Sequence, residues 1–284
     1  MRWEGERQSS NVEDRRGAGG FGLGGRSVGI GTVVLALLGG WIFGINPLTL
    51  LGVLGGDPAQ LQAPAQAPPA SDKAAAFVST VLASTEDVWA RQFQQGGGSY
   101  QAPRLVLFRG ATPTACGQGQ SAMGPFYCPA DRKVYIDLGF FDVLQRRLGA
   151  PGDFAQAYVV AHEVAHHVQT LLGVTERAET LRARGSAARA NEVSVRVELQ
   201  ADCLAGVWAF HSQQAHQWLE AGDLEEGLNA ASQIGDDTLQ QRSQGTVVPE
   251  SFTHGTSAQR VAWFRRGLQA GRLQDCDTFN ATEL

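Results

Sequence analysis

The sequence predicts an α+β fold, in which a predominantly helical domain carries a small β-sheet and follows one transmembrane helix. Three observations lead to this prediction. Apolar residues recur at helical spacing over most of the chain after position 139, short segments between 104 and 138 are typical of strands, and residues 28–45 contain no charged side chain. Hydrophobic residues make up 43% of the 284-residue chain, which is enough for a sizeable core.

The uncharged segment 28–45 is long enough to cross a bilayer, because eighteen helical residues span about 27 Å. Pro47 and a second apolar run at 48–54 follow, so the predicted transmembrane region is 28–54. A cleaved signal peptide and a buried core helix are the alternatives. The long polar start before the segment disfavours the first, and its glycines and missing polar face disfavour the second.

Basic residues flank the uncharged segment unequally. Five arginines precede it, and the next basic residue after it is Lys73. The positive-inside rule therefore predicts a single-pass protein of the cell membrane, with a cytoplasmic amino terminus and an extracytoplasmic carboxy-terminal part. We expect a disordered tail at 1–27, a Pro/Ala/Gln-rich linker at 55–71 and one folded domain at 72–284.

Composition limits the class of partner. The formal net charge is −5, the pI is about 5.7, and no long basic block follows Arg26. A nucleic-acid partner is therefore not expected. No sequence feature predicts an oligomeric state.

Local patterns within the domain predict the order of its elements. Ser71 or Asp72 can cap a first helix that runs to about Phe93 and ends at Gly96. Residues 117–124 are rich in turn-forming residues. Strands are expected at 104–109, 125–128 and 134–138, and further helices at 139–148, 152–172, 186–220, 223–241 and 256–271.

All four cysteines follow the uncharged segment, on the side predicted to be oxidising. An even number there favours disulfides, and four cysteines allow three pairings. We predict that Cys116 pairs with Cys128 and that Cys203 pairs with Cys276; buried free thiols are the alternative. A zinc site made of the four cysteines is not expected, because no pair has the two-residue spacing that such sites prefer.

Residues 162–166 read HEVAH, an HExxH motif within a strongly helical segment. His162 and His166 are four residues apart, so they lie on one face of the helix and can bind a single Zn²⁺. Glu163 would then take a proton from a water at the metal. A chance match is expected in roughly one sequence in a hundred with this histidine content. The motif therefore predicts a catalytic zinc site in which Glu163 is the general base.

A catalytic zinc with two histidines needs a third protein ligand, and Glu198 is the strongest candidate. It opens the segment ELQAD inside a long helical pattern, in which Asp202 shares its face. We predict that Glu198 binds the metal. We also predict that Asp202 accepts a hydrogen bond from the far nitrogen of a ligand histidine and so fixes its tautomer. The alternative is an exposed pair of carboxylates on a helix surface.

His254 precedes the last predicted helix, and its loop could place an imidazole opposite the metal. There it would stabilise the oxyanion of a tetrahedral intermediate. An exposed histidine in a helix-capping loop is an equally good interpretation. Arg260 is expected to pair with Asp202 or another carboxylate of the site. His167 lies about 100° round the helix from His166 and is expected to be structural.

Several segments together resemble the bacterial neutral zinc metallopeptidases of the YpfJ-like group. They are MRW from Met1, NVEDRR from Asn11, GPFYCP from Gly124, HEVAHHVQ from His162, ELQADC from Glu198 and SFTHGTS from Ser251. The resemblance covers nearly the whole chain and implies a zincin-type catalytic domain behind a single membrane helix. The order of HExxH, ExxxD and a later His before an Arg is also similar to that of gluzincin membrane-linked peptidases.

Carried over residue by residue, the resemblance implies that His162, His166 and Glu198 bind zinc, that Glu163 is the base, and that His254 is the oxyanion partner. It also implies a protein or peptide substrate, whose bond is hydrolysed by a water activated at the metal.

The resemblance further implies an edge strand that pairs with the substrate backbone, and the strand at Phe126–Cys128 or that at Tyr135–Leu138 could do this. Two other functions stay open. One is a non-catalytic, membrane-tethered module that binds an envelope protein, and the other is a zinc amidase that acts on cell-wall material.

Overall fold

The computed structural model describes residues 1–17, 68–69 and 71–284. Met1–Asp14 and Ala67–Leu284 form one compact unit, and Arg15–Gln66 form a second unit, of which only residues 15–17 are described. The predicted transmembrane region at 28–54 lies outside the described residues. None of the helices in the described part is long and apolar enough to cross a membrane.

Helices make up most of the described chain, which confirms the predominantly helical fold class. Asp72 caps the first of them by accepting a hydrogen bond from the backbone N–H of Ala75 at 3.0 Å. The helices are α1 (Lys73–Gln95), α2 (Gly139–Arg146), α3 (Asp153–Leu171), α4 (Val174–Arg184), α5 (Ala187–His216), α6 (Asp223–Gln233), α7 (Asp236–Gln244) and α8 (Ser257–Ala270).

The predicted small β-sheet is present and has four strands in the order β1-β2-β6-β5. The first three run parallel to one another, and β5 pairs antiparallel with β6. A separate antiparallel hairpin joins β3 to β4. The strands are β1 (Val12–Asp14), β2 (Arg104–Phe108), β3 (Ala111–Thr114), β4 (Gly117–Gln120), β5 (Phe126–Cys128) and β6 (Lys133–Asp137).

The first strand comes from a segment predicted to be disordered. Val12 pairs with Leu105 of β2, and Val12 is itself buried. Upstream, the indole N–H of Trp3 donates to Asp153 at 3.2 Å, and its ring packs edge-on against Phe77. The prediction of disorder at 1–27 is therefore wrong for residues 1–14, because the apolar side chains of this segment find a core to join.

Polar contacts hold the same segment against α1. One carboxylate oxygen of Glu86 accepts hydrogen bonds from the Ser9 hydroxyl at 2.5 Å and the Asn11 amide at 2.8 Å. Arg7 forms an ion pair with the other oxygen at 3.2 Å. The folded unit thus includes residues 1–14, and the predicted domain start at 72 leaves out the first strand of the sheet.

Two further differences from the predicted elements have local causes. The helix expected at 223–241 is interrupted at Gly235, where a Cβ atom would lie 2.4 Å from the backbone nitrogen of Ser257. Helix α4 was not predicted, since Ala178 is the one buried residue in its eleven-residue span and an apolar stripe is missing. Strand β4 lies within the segment 117–124, which was predicted only as turns, and its partner β3 lies before that segment.

Helices α3, α5 and α8 form the centre of the core and carry the candidate site residues. Glycines allow α8 to approach α5 closely: a Cβ on Gly267 would lie 1.8 Å from the Cys203 carbonyl oxygen, and one on Gly206 would lie 2.2 Å from that of Phe264. This crossing brings the first turn of α8 next to the middle of α5. The disulfide between Cys203 and Cys276 ties α5 to the carboxy-terminal segment.

The second disulfide joins Cys116, at the tip of the β3–β4 hairpin, to Cys128 at the end of β5. Both disulfides have the predicted pairing, and the described residues contain no free cysteine.

Candidate metal centre

Helix α3 carries the HExxH motif and is buried on nearly all sides. His162 and Glu163 are 6% and 8% exposed, and His166 is half-buried. The helix ends just before Gly173, which adopts a left-handed conformation with φ +75°. The two histidine rings stand edge to face, with their centroids 4.8 Å apart, so both present their Nε2 atoms on the same side of the helix.

Helix α5 brings Glu198 to these two nitrogens. Its Oε2 lies 3.1 Å from the Nε2 of His162, and its Oε1 lies 3.6 Å from the Nε2 of His166. One ligand atom from each of the three residues lies within 4.8 Å of the other two. A tetrahedral zinc with bonds of about 2.0–2.1 Å places neighbouring ligand atoms about 3.3 Å apart. The donor set and its spacing therefore fit Zn²⁺.

Both histidines are held in the tautomer that this geometry needs. The Nδ1–H of His162 donates to Asp202 at 2.9 Å, and that of His166 donates to the side-chain oxygen of Gln169 at 2.9 Å. Gln169 is in turn fixed by a 2.7 Å bond from its amide to the Val197 carbonyl on α5. In the neutral form of each ring, Nε2 therefore has the lone pair that a metal needs.

Asp202 is fully buried and is bound by a cation as well as by His162. The guanidinium of Arg260, on α8, donates to both carboxylate oxygens at 2.9 Å, and the hydroxyl of Tyr158 donates to Oδ1. Arg260 also donates to the backbone carbonyl of Ile234 at 3.2 Å. Asp202 therefore lies between His162 and Arg260, one contact removed from the candidate ligand atoms.

Charge within the centre is arranged to receive a cation. Burial disfavours the imidazolium of His162, but the charge of Asp202 and hydrogen bonds to Asp202 and Glu198 outweigh it and raise its pKa to about 10. Burial also opposes ionisation of Glu198, yet His166 and His162 hold the pKa of its carboxyl well below the usual range. A divalent metal would replace the protons on the two histidines.

Glu163 differs from the other carboxylates of the centre. Burial raises the pKa of its carboxyl, although the two neighbouring histidines act in the opposite direction. A carboxylate with a raised pKa next to a metal site is suited to accept and return a proton.

His167 lies outside the ligand set. Its Nε2–H donates to the Gln101 carbonyl at 2.6 Å, so its Nδ1 accepts a hydrogen bond from the Tyr127 hydroxyl at 3.1 Å. Burial lowers the pKa of this histidine. It therefore joins α3 to β5 as a neutral side chain, in line with the expected structural role.

His254 lies in the loop before α8 and is half-exposed, with 50% of its side chain accessible. Its Nδ1 is 3.2 Å from the Oδ1 of Asp236. The neighbouring Gly255 packs against α5, where a Cβ would lie 3.3 Å from both Leu199 and Val195. The loop therefore borders the turn of α5 that carries Glu198, and His254 stands at the rim of the centre rather than among its ligand atoms.

Sequence reasoning missed three residues of this centre, namely Tyr158, Gln169 and Asp236. Helical spacing contained a signal for two of them. Tyr158 lies four residues before His162 on the same face, and Gln169 lies three residues after His166. The partner of Asp236 is eighteen residues away in a different element, so no local pattern points to it.

A helix-borne HExxH motif with a glutamate from a second helix defines the class of HExxH metalloproteins. Comparisons with known proteins agree with this class. The chain belongs to the family described as "Putative neutral zinc metallopeptidase", whose model matches residues 1–279.

Two relatives show the extent of the similarity. The chain is 53% identical to "Uncharacterized protein YpfJ" of Escherichia coli (strain K12) over 288 residues, which cover 98% of this chain and 99% of that protein. It is 46% identical to "Uncharacterized protein Rv2575" of Mycobacterium tuberculosis over 195 residues, 65% of each chain. No solved structure matches the chain.

Proposed function

We propose that this protein is a zinc-dependent metallopeptidase that hydrolyses peptide bonds with Glu163 as its general base. One observation carries the proposal: the ligand atoms of His162, His166 and Glu198 converge within 4.8 Å, with the buried carboxylate of Glu163 beside them. Membership of a family described by that activity supports it.

The residues of the centre have separate tasks in this reaction. When bound, zinc lowers the pKa of a coordinated water and polarises a carbonyl oxygen. Glu163 accepts the proton of the attacking water and passes it to the leaving amine, for which its raised pKa is suited. Asp202, held by Arg260, keeps the ring of His162 oriented through the cycle.

Strand β5 is the proposed place where a substrate backbone adds to the sheet. It stands at the end of the four-stranded order, whereas β6 lies between β2 and β5, so the expectation of Tyr135–Leu138 as the edge is disfavoured. Tyr127 links β5 to α3 through His167. An extended peptide on β5 would therefore run beside the helix that carries the metal ligands.

We also propose that the protein associates with the cell membrane through residues 28–54 and that its domain is extracytoplasmic. The length of the uncharged segment and the two disulfides support this, since disulfides persist in oxidising compartments. Residues 1–14 belong to the same folded unit as the domain, so the proposal places them with it.

The test combines metal analysis with a peptide library on the full-length protein in detergent. We expect one zinc per chain and cleavage of peptides. Glu163→Gln should keep the zinc and lower kcat by about 10²–10⁴-fold, the usual contribution of a general base. Glu179→Gln, at an exposed position on α4, is the matched control and should behave as wild type.

Three outcomes would contradict the proposal in different ways. Full activity in Glu163→Gln removes the assigned base. Bound zinc without cleavage of any peptide favours a binding module. If the protein cleaves cell-wall material at an amide bond that is absent from the peptide library, and does not cleave the library, the result favours the amidase.

A further inference from the structure

We propose that Asp236 is a positioning residue, which fixes the imidazole of His254 at the rim of the metal centre so that its Nε2–H can donate to the substrate oxyanion. This inference rests on the proposed peptidase function and adds a dyad to it. Asp236 itself touches neither metal ligands nor substrate.

Asp236 is the first residue of α7, and its carboxylate organises the whole loop before α8. Its Oδ2 accepts hydrogen bonds from three successive backbone N–H groups, those of Thr253, His254 and Gly255, at 2.7, 2.6 and 3.1 Å. Its own backbone N–H donates to the Gly255 carbonyl at 2.9 Å. With all three amides on one oxygen, the other oxygen is left for a side chain.

That other oxygen, Oδ1, lies 3.2 Å from the Nδ1 of His254. The hydroxyl of Thr253 lies 3.0 Å from the same nitrogen and can share its proton. Because Nδ1 is used in this way, Nε2 is the ring nitrogen left for another partner, and the His254 side chain is 50% exposed. A single carboxylate thus sets both the backbone of the loop and the direction of the imidazole.

The loop before α8 packs against α5, the helix that carries Glu198. Gly255 has φ +88°, and a Cβ there would lie 3.3 Å from the side chains of Val195 and Leu199. These two residues flank Glu198 along α5, three positions before it and one after it. Gly255, the residue next to His254, therefore packs on the turn of α5 that carries Glu198.

Charged groups on three elements face His254. They are Asp236 on α7 and Glu198 on α5, which favour the imidazolium, and Arg260 on α8, which opposes it. The hydrogen bond to Asp236 contributes most, and the pKa of His254 is raised as a result. Asp236 is thus the charged group in direct contact with the imidazole, and it favours protonation of His254.

Activity measurements test the dyad in wild-type, Asp236→Asn, His254→Ala and double-variant proteins. Removing a single oxyanion donor costs about 10²-fold in kcat, so we expect a loss near that for His254→Ala and of about tenfold for Asp236→Asn, with KM little changed. The double variant should be no slower than His254→Ala. The basic limb of the kcat profile should move to lower pH in Asp236→Asn.

Asp237→Asn is the matched control. Asp237 also stands in the first turn of α7 and anchors the start of α8, through Ser257 at 2.8 Å, but it has no contact with His254. If the losses came only from weaker starts of α7 and α8, Asp236→Asn and Asp237→Asn would lower activity equally. We expect Asp237→Asn to keep the wild-type pH profile.

A second readout does not depend on hydrolysis. In the metal-free full chain with isotope-labelled histidine, NMR titration should show a pKa for His254 above the ordinary histidine value in wild type. It should fall in Asp236→Asn and stay unchanged in Asp237→Asn. An ordinary or lowered value in wild type overturns the dyad, whether or not any variant folds.

The two failures are distinguishable. If wild type cleaves no peptide, the peptidase proposal fails and the NMR titration still decides the dyad. If wild type is active and the losses from Asp236→Asn and His254→Ala multiply in the double variant, the dyad is refuted and the peptidase stands.

Discussion

The substitution Asp202→Asn should damage both the fold and the metal centre, because one buried carboxylate serves both. Arg260 is 2% exposed and Asp202 is inaccessible, so the substitution leaves a buried guanidinium without its counter-ion. Breaking a buried ion pair by removing one partner costs about 3–5 kcal/mol. That is a large fraction of the roughly 5–15 kcal/mol that stabilises a typical folded protein.

The same substitution also replaces the anionic acceptor of His162 Nδ1–H, 2.9 Å away, by a neutral amide. Loss of such a partner typically lowers metal affinity about 10- to 100-fold. We therefore expect two separable effects. The double variant Asp202→Asn with Arg260→Gln removes the unpaired charge, so it should recover much of the stability while its zinc affinity stays low.

Urea unfolding of the metal-free full-length protein in the presence of a chelator measures the first effect, since bound zinc would itself stabilise the folded state. Competition with a chromophoric chelator measures the second. Glu192→Gln is the control on the same helix: its pair with Arg189 is exposed, and such pairs contribute at most about 1 kcal/mol. Wild-type stability and zinc affinity in Asp202→Asn would falsify the assignment of Asp202.

Three further predictions concern zinc binding, the disulfides and the first strand. In the metal-free state Asp202 and Glu198 outweigh burial and raise the pKa of His162 to about 10, and Glu198 raises the pKa of His166. Zinc therefore displaces protons from these rings, so calorimetry in two buffers at neutral pH should show about one proton or more released per zinc, and no release would contradict these directions. The Cys203–Cys276 disulfide closes a loop of 73 residues, so replacing both cysteines by alanine should cost about 4 kcal/mol in urea unfolding, against no loss if the bond is absent in the native protein. Glu86→Ala removes the acceptor of Ser9 and Asn11 and should speed hydrogen exchange in residues 9–14, whereas unchanged exchange would show that the sheet alone holds the segment.

The parts of the centre that the sequence predicted share one property, which is that their spacing is local. His162 and His166 are one helical turn apart, and so are Glu198 and Asp202, so helical periodicity alone places each pair on a face. That the two pairs come together in space was predicted from the chemistry of zinc, because a catalytic zinc with two histidine ligands needs a third protein ligand. The contact between Asp236 and His254 joins two different elements, so helical periodicity in the sequence does not predict it.

Strand β1 was missed for a related physical reason. It has three residues, and its partner Leu105 lies about ninety positions away, beyond the range of any pattern of alternation. Glycine and arginine around it gave the segment the composition of a disordered tail, while its stability comes from contacts with α1 and β2. Local composition does not report such contacts.

The pairing of β1 with β2 also limits how the chain could insert in a lipid bilayer, because two strands on opposite sides of a bilayer cannot form hydrogen bonds with each other. Residues before Arg15 and after Gln66 must share a compartment in the folded protein, whatever path links them. Arg7, counted above as a cytoplasmic charge, is then a constituent of the domain surface. An impermeant thiol reagent on whole cells should therefore modify Ser10→Cys and Ser99→Cys variants together or not at all.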